Sequence, residues 1–454
     1  MTLVAVSTHA QDAWTVQQCM RYAVAHNHEV RQAELELDNY KASRMSAIGR
    51  FLPEVDAGIG TQYNFGRAID PETNGYTNVS TFYNGYSVQA SLPVFDGFGR
   101  LHALRAAKAG VLMGREALRQ QQDQTALNVL QAFVNVVYYE EMVKMAAEKA
   151  EETTLLLRQT RLLEEVGRKS AADVAQVESQ QAEANYELTR QQNLLSSARL
   201  SLIKDMGLPF SDTLSLTVNT SFFRLSTGVS KSADWSQQVY RLESARLPTE
   251  VSNQENHSFA HGNSHSPDLL QAYFRTQTTM HEWRQARAAL LPALSLSAGL
   301  NTTYYHTLHA DAGQSFRNQL KNNMGEYVGL TLSIPLFNRL QTLTGIRRAK
   351  NNYRIACEAY EQKQLELEKL SREAWQDWQG YQLQAAQMEK KVEADSLAYQ
   401  LTRRQFEEGL STAIDLHTTS SQLLQSRATL LQCRLMVMVK EYLVRYYRGE
   451  KVWD

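Results

Sequence analysis

The stretch SLPVFDG, residues 91–97, returns 242 residues later as SIPLFNR, residues 333–339. In both places an alternating apolar and polar run precedes the proline, and a long proline-free segment follows it. Three further pairs share the same offset: Gly167 and Gly409, Asp173 and Asp415, and Gly207 and Gly449. A constant offset between so many residue pairs indicates an internal duplication, in which one structural unit occurs twice in the chain.

Segments of alternating apolar and polar residues predict two β-strands in each copy. Each segment is about ten residues long, which is the length of a tilted strand that crosses a bilayer. We expect the strands at about 53–66 and 83–95 in the first copy and at about 292–305 and 325–337 in the second. The alternation also suits a half-buried sheet in a soluble protein, so the strands alone leave both interpretations open.

Four prolines mark the helix–strand joints. Pro93 and Pro335 lie near the ends of outgoing strands, where a missing N–H and a fixed φ help to end the ladder. Pro53 and Pro292 mark the opposite transition, because a proline disfavours helical geometry at the residue before it.

Two long helical hairpins are predicted over residues 99–206 and 340–448. Pro93 and Gly167 are 74 residues apart, as are Pro335 and Gly409, and no proline interrupts either segment. The first helix of each hairpin would therefore span roughly 100 Å. The returning helices are shorter, so we expect each to stack end to end with the short helix that precedes its strand pair.

The repeat divides the chain into parts with different expected roles. A short apolar run near the start indicates the remnant of an export signal, with a meaningless tail as the alternative. The expected parts are a signal-peptide remnant at 1–10, a first repeat at 11–207, a polar equatorial insertion at 208–265, a second repeat at 266–449 and a C-terminal tail at 450–454.

Composition and motifs exclude several classes of function. With 47 basic and 48 acidic residues, the chain has a net charge of −1, so we expect no nucleic-acid partner. It contains no Gly-rich phosphate loop, nucleophile elbow or HExxH motif, so we expect neither an enzyme nor a cofactor. His257, His261 and His265 are spaced at four, but Gly262 and Pro267 interrupt that stretch, and we expect no metal site.

Four strands per chain cannot close a membrane barrel, since the smallest such barrels have about eight strands. Open sheet edges are not tolerated in lipid, because each unpaired N–H or C=O there costs several kcal/mol. A membrane location therefore demands an oligomer, with eight strands from a dimer or twelve from a trimer. The predicted fold class is mainly α with β: long antiparallel coiled-coil helices and four strands, in two repeats.

This organisation resembles the TolC-like outer-membrane efflux family of Gram-negative bacteria. The resemblance is carried by the duplicated joints RFLPEV (50–55) and ALLPAL (289–294) with LPVFDG and IPLFNR, and by the turns VGRKSAADV (166–174) and EGLSTAIDL (408–416). It implies a homotrimer with a twelve-stranded barrel in outer-membrane lipid and an α-helical tunnel in the periplasm. The implied function is an exit duct for small molecules or peptides, in efflux or type I secretion, with a periplasmic adaptor and an inner-membrane pump as partners. The alternative is a soluble structural coiled coil or a periplasmic adaptor.

The two turns are the candidate gate. Gly167 and Gly409 fit the left-handed residue that ends a helix, and Asp173 and Asp415 fit an acidic cap at the next helix start. The resemblance implies that these residues lie at the inner mouth of the tunnel.

Other positions depart from the pattern of the best-known relatives. Phe406 stands where an aromatic hydroxyl is usual, Ser411 where an arginine is usual, and Thr418 where a second acidic ring would lie. Closure here is therefore expected to depend more on packing of Phe406 and less on salt bridges.

Overall fold

A computed structural model describes residues 14–69, 75–78, 80–210, 266–307 and 315–453. The predicted signal remnant, most of the predicted insertion and the three spaced histidines lie outside these residues. The helices are α1 Val16–His26, α2 His28–Gly49, α3 Gly99–Glu165, α4 Ala171–Met206, α5 Pro267–Ala288, α6 Phe316–Asn322, α7 Gln341–Glu407 and α8 Ala413–Tyr447. The strands are β1 Glu54–Asn64, β2 Arg67–Ile69, β3 Tyr76–Asn78, β4 Thr81–Phe95, β5 Ala293–Thr307 and β6 Gly325–Ser333. Among the described helices, none is both long and apolar enough to cross a membrane.

The chain forms two compact units. The helical unit comprises Met1–Leu35, Glu116–Leu270 and Glu361–Asp454, and the sheet unit comprises Glu36–Arg115 and Gln271–Tyr360. Because α3 and α7 each run for 67 residues, both helices contribute to both units. At 1.5 Å per residue each is roughly 100 Å long, as the proline spacing predicts.

The short helices stack end to end, as predicted, and the contacts lie within the helical unit. Asn27, just before α2, donates from Nδ2 to the carbonyl oxygen of Asp205 near the end of α4, at 2.8 Å. In the second repeat the Tyr446 hydroxyl, near the end of α8, donates to Asp268 Oδ2 in the first turn of α5, at 3.4 Å. Each returning helix therefore meets the start of the helix that precedes its strand pair.

The core of the helical unit joins α1, α3, α4 and α8. Its fully buried side chains include Met20, Val129, Val136 and Leu202. The end of the chain, expected as a tail, packs onto this core: Val452 is buried, and Trp453 Nε1 donates to Asp123 Oδ1 at 3.0 Å. Burial raises the pKa of the Asp123 carboxyl, and the Trp453 hydrogen bond opposes that shift.

The main sheet is antiparallel with strand order β1-β4-β5-β6. The β4–β5 ladder joins the two repeats, and its register runs from Thr81↔Thr307 to Phe95↔Leu294. β1 and β6 are the edge strands and have no further strand beside them among the described residues. The two loops differ between the repeats: the first carries the β2–β3 ribbon, and the second carries the short helix α6.

One face of this sheet is apolar on all four strands in the half nearest the helix–strand joints, whereas Glu326 and Thr302 lie farther along the same face. Residues directly opposite in neighbouring strands share a face, and the register aligns Val55, Ala90, Ala298 and Val328 in one row. The other apolar members of this face are Ala57, Ile59, Val88, Leu92, Leu294, Leu296, Leu300, Leu330 and Leu332. Val328 is 78% exposed and Leu330 is 66% exposed, so the face is uncovered in the single chain.

The helix–strand joints follow the prolines with one difference from expectation. β1 begins directly after Pro53, β5 begins directly after Pro292, and the β4–β5 register shifts between Pro93 and Phe95. β6 ends at Ser333 rather than near 337. Its partner Ala293 is the first residue of β5, so no strand remains to pair with the residues that follow.

Candidate functional site at the helical turns

Two equivalent turns connect α3 to α4 and α7 to α8 in the helical unit. Gly167 and Gly409 have φ of 70° and 80°, as the sequence predicts. Gly167 N–H donates to the carbonyl of Glu164 at 2.8 Å, and Arg168 N–H donates to that of Leu163 at 2.8 Å. These bonds form a Schellman motif, in which a glycine without Cβ adopts the left-handed geometry at low cost. The turn at Gly409 has the same pair of bonds.

A capping box starts each returning helix. Ser170 is the N-cap of α4: its Oγ accepts from Asp173 N–H at 3.2 Å, and Asp173 Oδ2 accepts from Ser170 N–H at 3.0 Å. Thr412 is the N-cap of α8, and Asp415 Oδ2 accepts from its N–H at 3.1 Å and its hydroxyl at 2.6 Å. Asp173 and Asp415 are therefore helix caps at the third helical position, and both reach back to the residue before the helix.

Hydrogen bonding sets the charge state of both carboxyls. The Ser170 backbone N–H, followed by its hydroxyl, lowers the pKa of Asp173, because both donors stabilise the ionised form. The Thr412 hydroxyl and then its N–H lower the pKa of Asp415 in the same way. Ser411 adds a bond to Asp415 Oδ2 at 3.3 Å. Each turn therefore carries an acidic group that is ionised at neutral pH.

Phe406 joins the two hairpins. Its side chain is only 3% exposed and packs in a cluster with Leu157 of α3, Val177 of α4 and Leu416 of α8. Lys169 Nζ, from the first turn, lies 4.3 Å from the centroid of the Phe406 ring, within cation–π range. Within one chain, Phe406 therefore packs against residues of both hairpins, which is the kind of contact that the predicted closure requires.

A polar contact between the hairpins reinforces that cluster. Gln180 Nε2 of α4 donates to the carbonyl oxygen of Ala413, in the first turn of α8, at 3.3 Å. Both residues are buried. Thr418 lies within α8, and its hydroxyl donates to the Ile414 carbonyl of the same helix at 2.8 Å.

The structure brings the predicted residues together within each turn, and it adds four that the sequence interpretation missed. Ser170 and Thr412 could have been found from the S-x-x-D and T-x-x-D spacing that precedes each apolar run. Lys169 and Gln180 carry no comparable signal, because their partners Phe406 and Ala413 are more than 200 residues away. No cluster of three or more potential metal ligands occurs in the described residues.

The family model described as "Outer membrane efflux protein" matches residues 20–208 and 263–440 of this chain. The chain belongs to the outer membrane efflux protein family. The match covers the first long hairpin, the second as far as residue 440, and both strand pairs, and residues 209–262 lie outside it.

Individual relatives agree with this assignment. The chain is 20% identical to outer membrane efflux protein BepC of Brucella suis, over 87% of this chain and 77% of that one. It is 23% identical to the probable efflux pump outer membrane protein TtgC of Pseudomonas putida, over 94% of this chain and 81% of that one. The solved structure of the CmeC outer membrane channel of Campylobacter jejuni superposes with a TM-score of 0.77 at 15% identity, covering 98% of this chain and 90% of that chain.

The predicted family, fold class and outer-membrane location are confirmed. The protein is an outer-membrane efflux protein, which agrees with the first of the two functions expected from the sequence.

Proposed function

We propose that three copies of this chain form a closed duct, with a twelve-stranded barrel in outer-membrane lipid and a tunnel of α3, α4, α7 and α8 in the periplasm. The observation that carries the proposal is the sheet itself. It has one face that is apolar over the half nearest the helix–strand joints, and two edge strands, β1 and β6, without partners among the described strands. In lipid those edges must be paired, and pairing β1 of one copy with β6 of the next satisfies them.

The duct works as a passive conduit and not as an enzyme, with neither cofactor nor metal. A periplasmic adaptor and an inner-membrane pump deliver cargo to its inner mouth. The cargo is small molecules or peptides, which pass from the pump to the outside. Efflux-pump outer-membrane proteins among the relatives support this role.

The two turns form the gate at the inner mouth. Gly167 and Gly409 set the reversal of each hairpin, Asp173 and Asp415 fix the next helix and supply negative charge, and Phe406 holds the hairpins together. Opening the mouth would separate the hairpins, so the Phe406 cluster must loosen first.

The helix–strand joints connect tunnel and barrel, and they are formed at Pro53, Pro93, Pro292 and Pro335.

The test is the oligomeric state and conductance of detergent-extracted protein. We expect light scattering to give three times the chain mass of 51.5 kDa after correction for detergent, and planar bilayers to show discrete conductance steps. A monomeric protein without conductance would overturn the proposal. Covalent cross-linking between cysteines placed on β1 and β6 should yield trimers only if these edges pair between copies.

A further inference from the structure

The sheet unit is positively charged in a chain that is almost neutral. Residues 36–115 and 271–360 contain 18 Lys and Arg and 11 Asp and Glu, a net charge of +7. The whole chain has a net charge of −1. The helical unit therefore carries the compensating negative charge.

The positive charge lies on the four helix ends that adjoin the sheet. The stretches 36–50, 96–115, 271–288 and 339–360 hold 15 basic and 5 acidic residues. Fourteen of those 15 basic residues are exposed. Within the described residues, ion pairs of this set are formed by Lys41 with Asp38 and by Arg100 with Asp96. Most of these cations therefore face solvent without a carboxylate.

Each of the four joints places an arginine next to exposed apolar side chains. The four sequences are RFL (50–52), FGR (98–100), RAALL (287–291) and FNR (337–339). Phe51, Phe98, Leu290 and Phe337 are all exposed large apolar residues. One joint adjoins each of β1, β4, β5 and β6, so the pattern occurs at the helix-side end of all four strands.

Arg100 differs from the other three joint arginines. Its guanidinium pairs with Asp96 at 3.3 Å, donates to the Arg50 carbonyl at 3.2 Å and lies 5.1 Å from the Phe51 ring centroid. It thus ties two joints together. Arg50, Arg287 and Arg339 are exposed and form no ion pair among the described residues. Arg287 lies 5.7 Å from the Trp283 ring centroid, a contact that leaves its charge without a carboxylate partner.

This arrangement matches the chemistry of a phospholipid surface. Apolar and aromatic side chains settle at the boundary between acyl chains and headgroups, and a guanidinium binds phosphate through two parallel hydrogen bonds. The apolar face of the sheet ends at these joints, so a bilayer that covered this face would place its phosphate layer level with the arginines. The further basic residues follow over as many as 15 residues of helix, or roughly 22 Å. Only the nearest of them lie within the Debye length of roughly 8–10 Å, so the joint arginines dominate the interaction.

We propose that the four joints form a collar that binds anionic phospholipid headgroups in the membrane leaflet facing the helices. Arg50, Arg287 and Arg339 contact lipid phosphates, and the exposed apolar residues beside them anchor in the acyl boundary. The collar fixes the depth of the sheet in the bilayer. This inference depends on the proposed function, because it requires the sheet to lie in lipid.

The test uses the full chain reconstituted in vesicles with equal amounts of phosphatidylglycerol and phosphatidylcholine. Lipid retained after mild detergent extraction is quantified by mass spectrometry. The test variant carries Arg50→Gln, Arg287→Gln and Arg339→Gln. The matched control carries Arg158→Gln, Arg404→Gln and Arg427→Gln, which removes three exposed arginines from the helical unit.

We expect wild type and control to retain an excess of phosphatidylglycerol that 0.5 M salt reduces. The joint variant should lose relative affinity on the order of 100-fold, since three basic residues near an anionic surface are removed. A second variant with lysine at the same three positions should keep most of the preference, which separates charge from folding.

An unchanged phosphatidylglycerol preference in the joint variant would overturn the collar, as would a wild type without any preference. A joint variant that changes the ion selectivity of conductance and keeps its lipid preference would show that these arginines serve anionic cargo instead, and would also overturn it. In each of these three outcomes the protein would still insert and conduct, so only the collar would be overturned and the proposed function would stand. Failure of wild type to insert would overturn the proposed function and the collar with it.

Discussion

Phe98 and Leu340 stand 242 residues apart and share a left-handed backbone, with φ of 67° and 65°. The residues before them, Gly97 and Arg339, have φ of 65° and 55°. Left-handed geometry costs a residue with a Cβ roughly 1–2 kcal/mol, so Phe98, Arg339 and Leu340 keep it only where the surrounding fold imposes it. Gly97 adopts it at low cost. The duplication therefore extends to the backbone geometry of the two strand-to-helix joints.

Gly97 should tolerate alanine less well than a glycine of similar φ in an open turn. A Cβ at Gly97 would lie 2.7 Å from the Ala288 carbonyl oxygen and 2.7 Å from Leu291 Cβ, whereas one at Gly167 would meet nothing within 4 Å. We expect Gly97→Ala to lower the free energy of unfolding by about 1–3 kcal/mol more than Gly167→Ala. Denaturant unfolding in detergent measures the difference, and equal losses would contradict the clash.

The two faces of the sheet should respond differently to charge. Leu330 lies on the apolar face, and Thr331 is on the opposite face of β6. We expect Leu330→Arg to destabilise the membrane-inserted state by about 2–4 kcal/mol, while Thr331→Arg has little effect. The fraction of protein that inserts into vesicles during refolding gives the measurement. Equal insertion of both variants would mean that the Leu330 face does not contact lipid.

Truncation of Phe406 should loosen the gate. The side chain is buried between the two hairpins, so Phe406→Ala leaves a cavity and is expected to cost about 3–5 kcal/mol locally. Amide hydrogen exchange should rise in residues 157–177 and 400–416, and the channel should show higher resting conductance. Leu410→Ala is the control, because Leu410 is 76% exposed at the same turn. Unchanged exchange in Phe406→Ala would remove the cluster from the gating scheme.

The first turn of α4 should weaken in acid. Because the pKa of Asp173 is lowered by the Ser170 donors, its carboxylate contributes stability that is present above the unfolded value of about 3.9 and is lost as pH falls through the folded pKa. Between pH 7 and pH 5 the protection of the amides of this turn against hydrogen exchange should stay constant. Hydrogen exchange at residues 170–174, corrected for intrinsic rates, should therefore rise only below about pH 4.

Asp173→Asn should remove this acid transition and leave the turn less protected at pH 7. Glu178→Gln is the control, since Glu178 forms a half-exposed ion pair with Arg161 and caps no helix. An acid transition that survives in Asp173→Asn would assign it to another group.

A ring of Asp415 should favour cations at the mouth of the trimer. Asp415 is exposed, and its pKa is held low by Thr412, so three copies present three negative charges. We expect Asp415→Asn to reduce the cation-to-anion permeability ratio severalfold in reversal-potential measurements. Asp395→Asn serves as control, because that carboxylate is paired with Lys391. If the ratio did not change, the ring would have no part in selectivity.

Local sequence signals determined the repeating elements. Alternation along each strand, absence of proline along α3 and α7, and glycine at each reversal are properties of short segments that need no distant partner. They predict four long strands, two hairpins and the 242-residue repeat, together with the left-handed φ of Gly167 and Gly409. The β2–β3 ribbon and α6 were not predicted, because these elements have only three to seven residues and show little periodicity.

Only the tertiary structure decided which distant segments meet. Three contacts join residues roughly 200 or more positions apart: the pairing of β4 with β5, the burial of Phe406 against Leu157 and Val177, and the docking of Trp453 on Asp123. A side chain's own neighbours in sequence do not reveal whether a partner from the other repeat will cover it. The sequence thus determined the elements and their duplication, whereas packing between the repeats decided the strand order and the contacts that hold the two turns together.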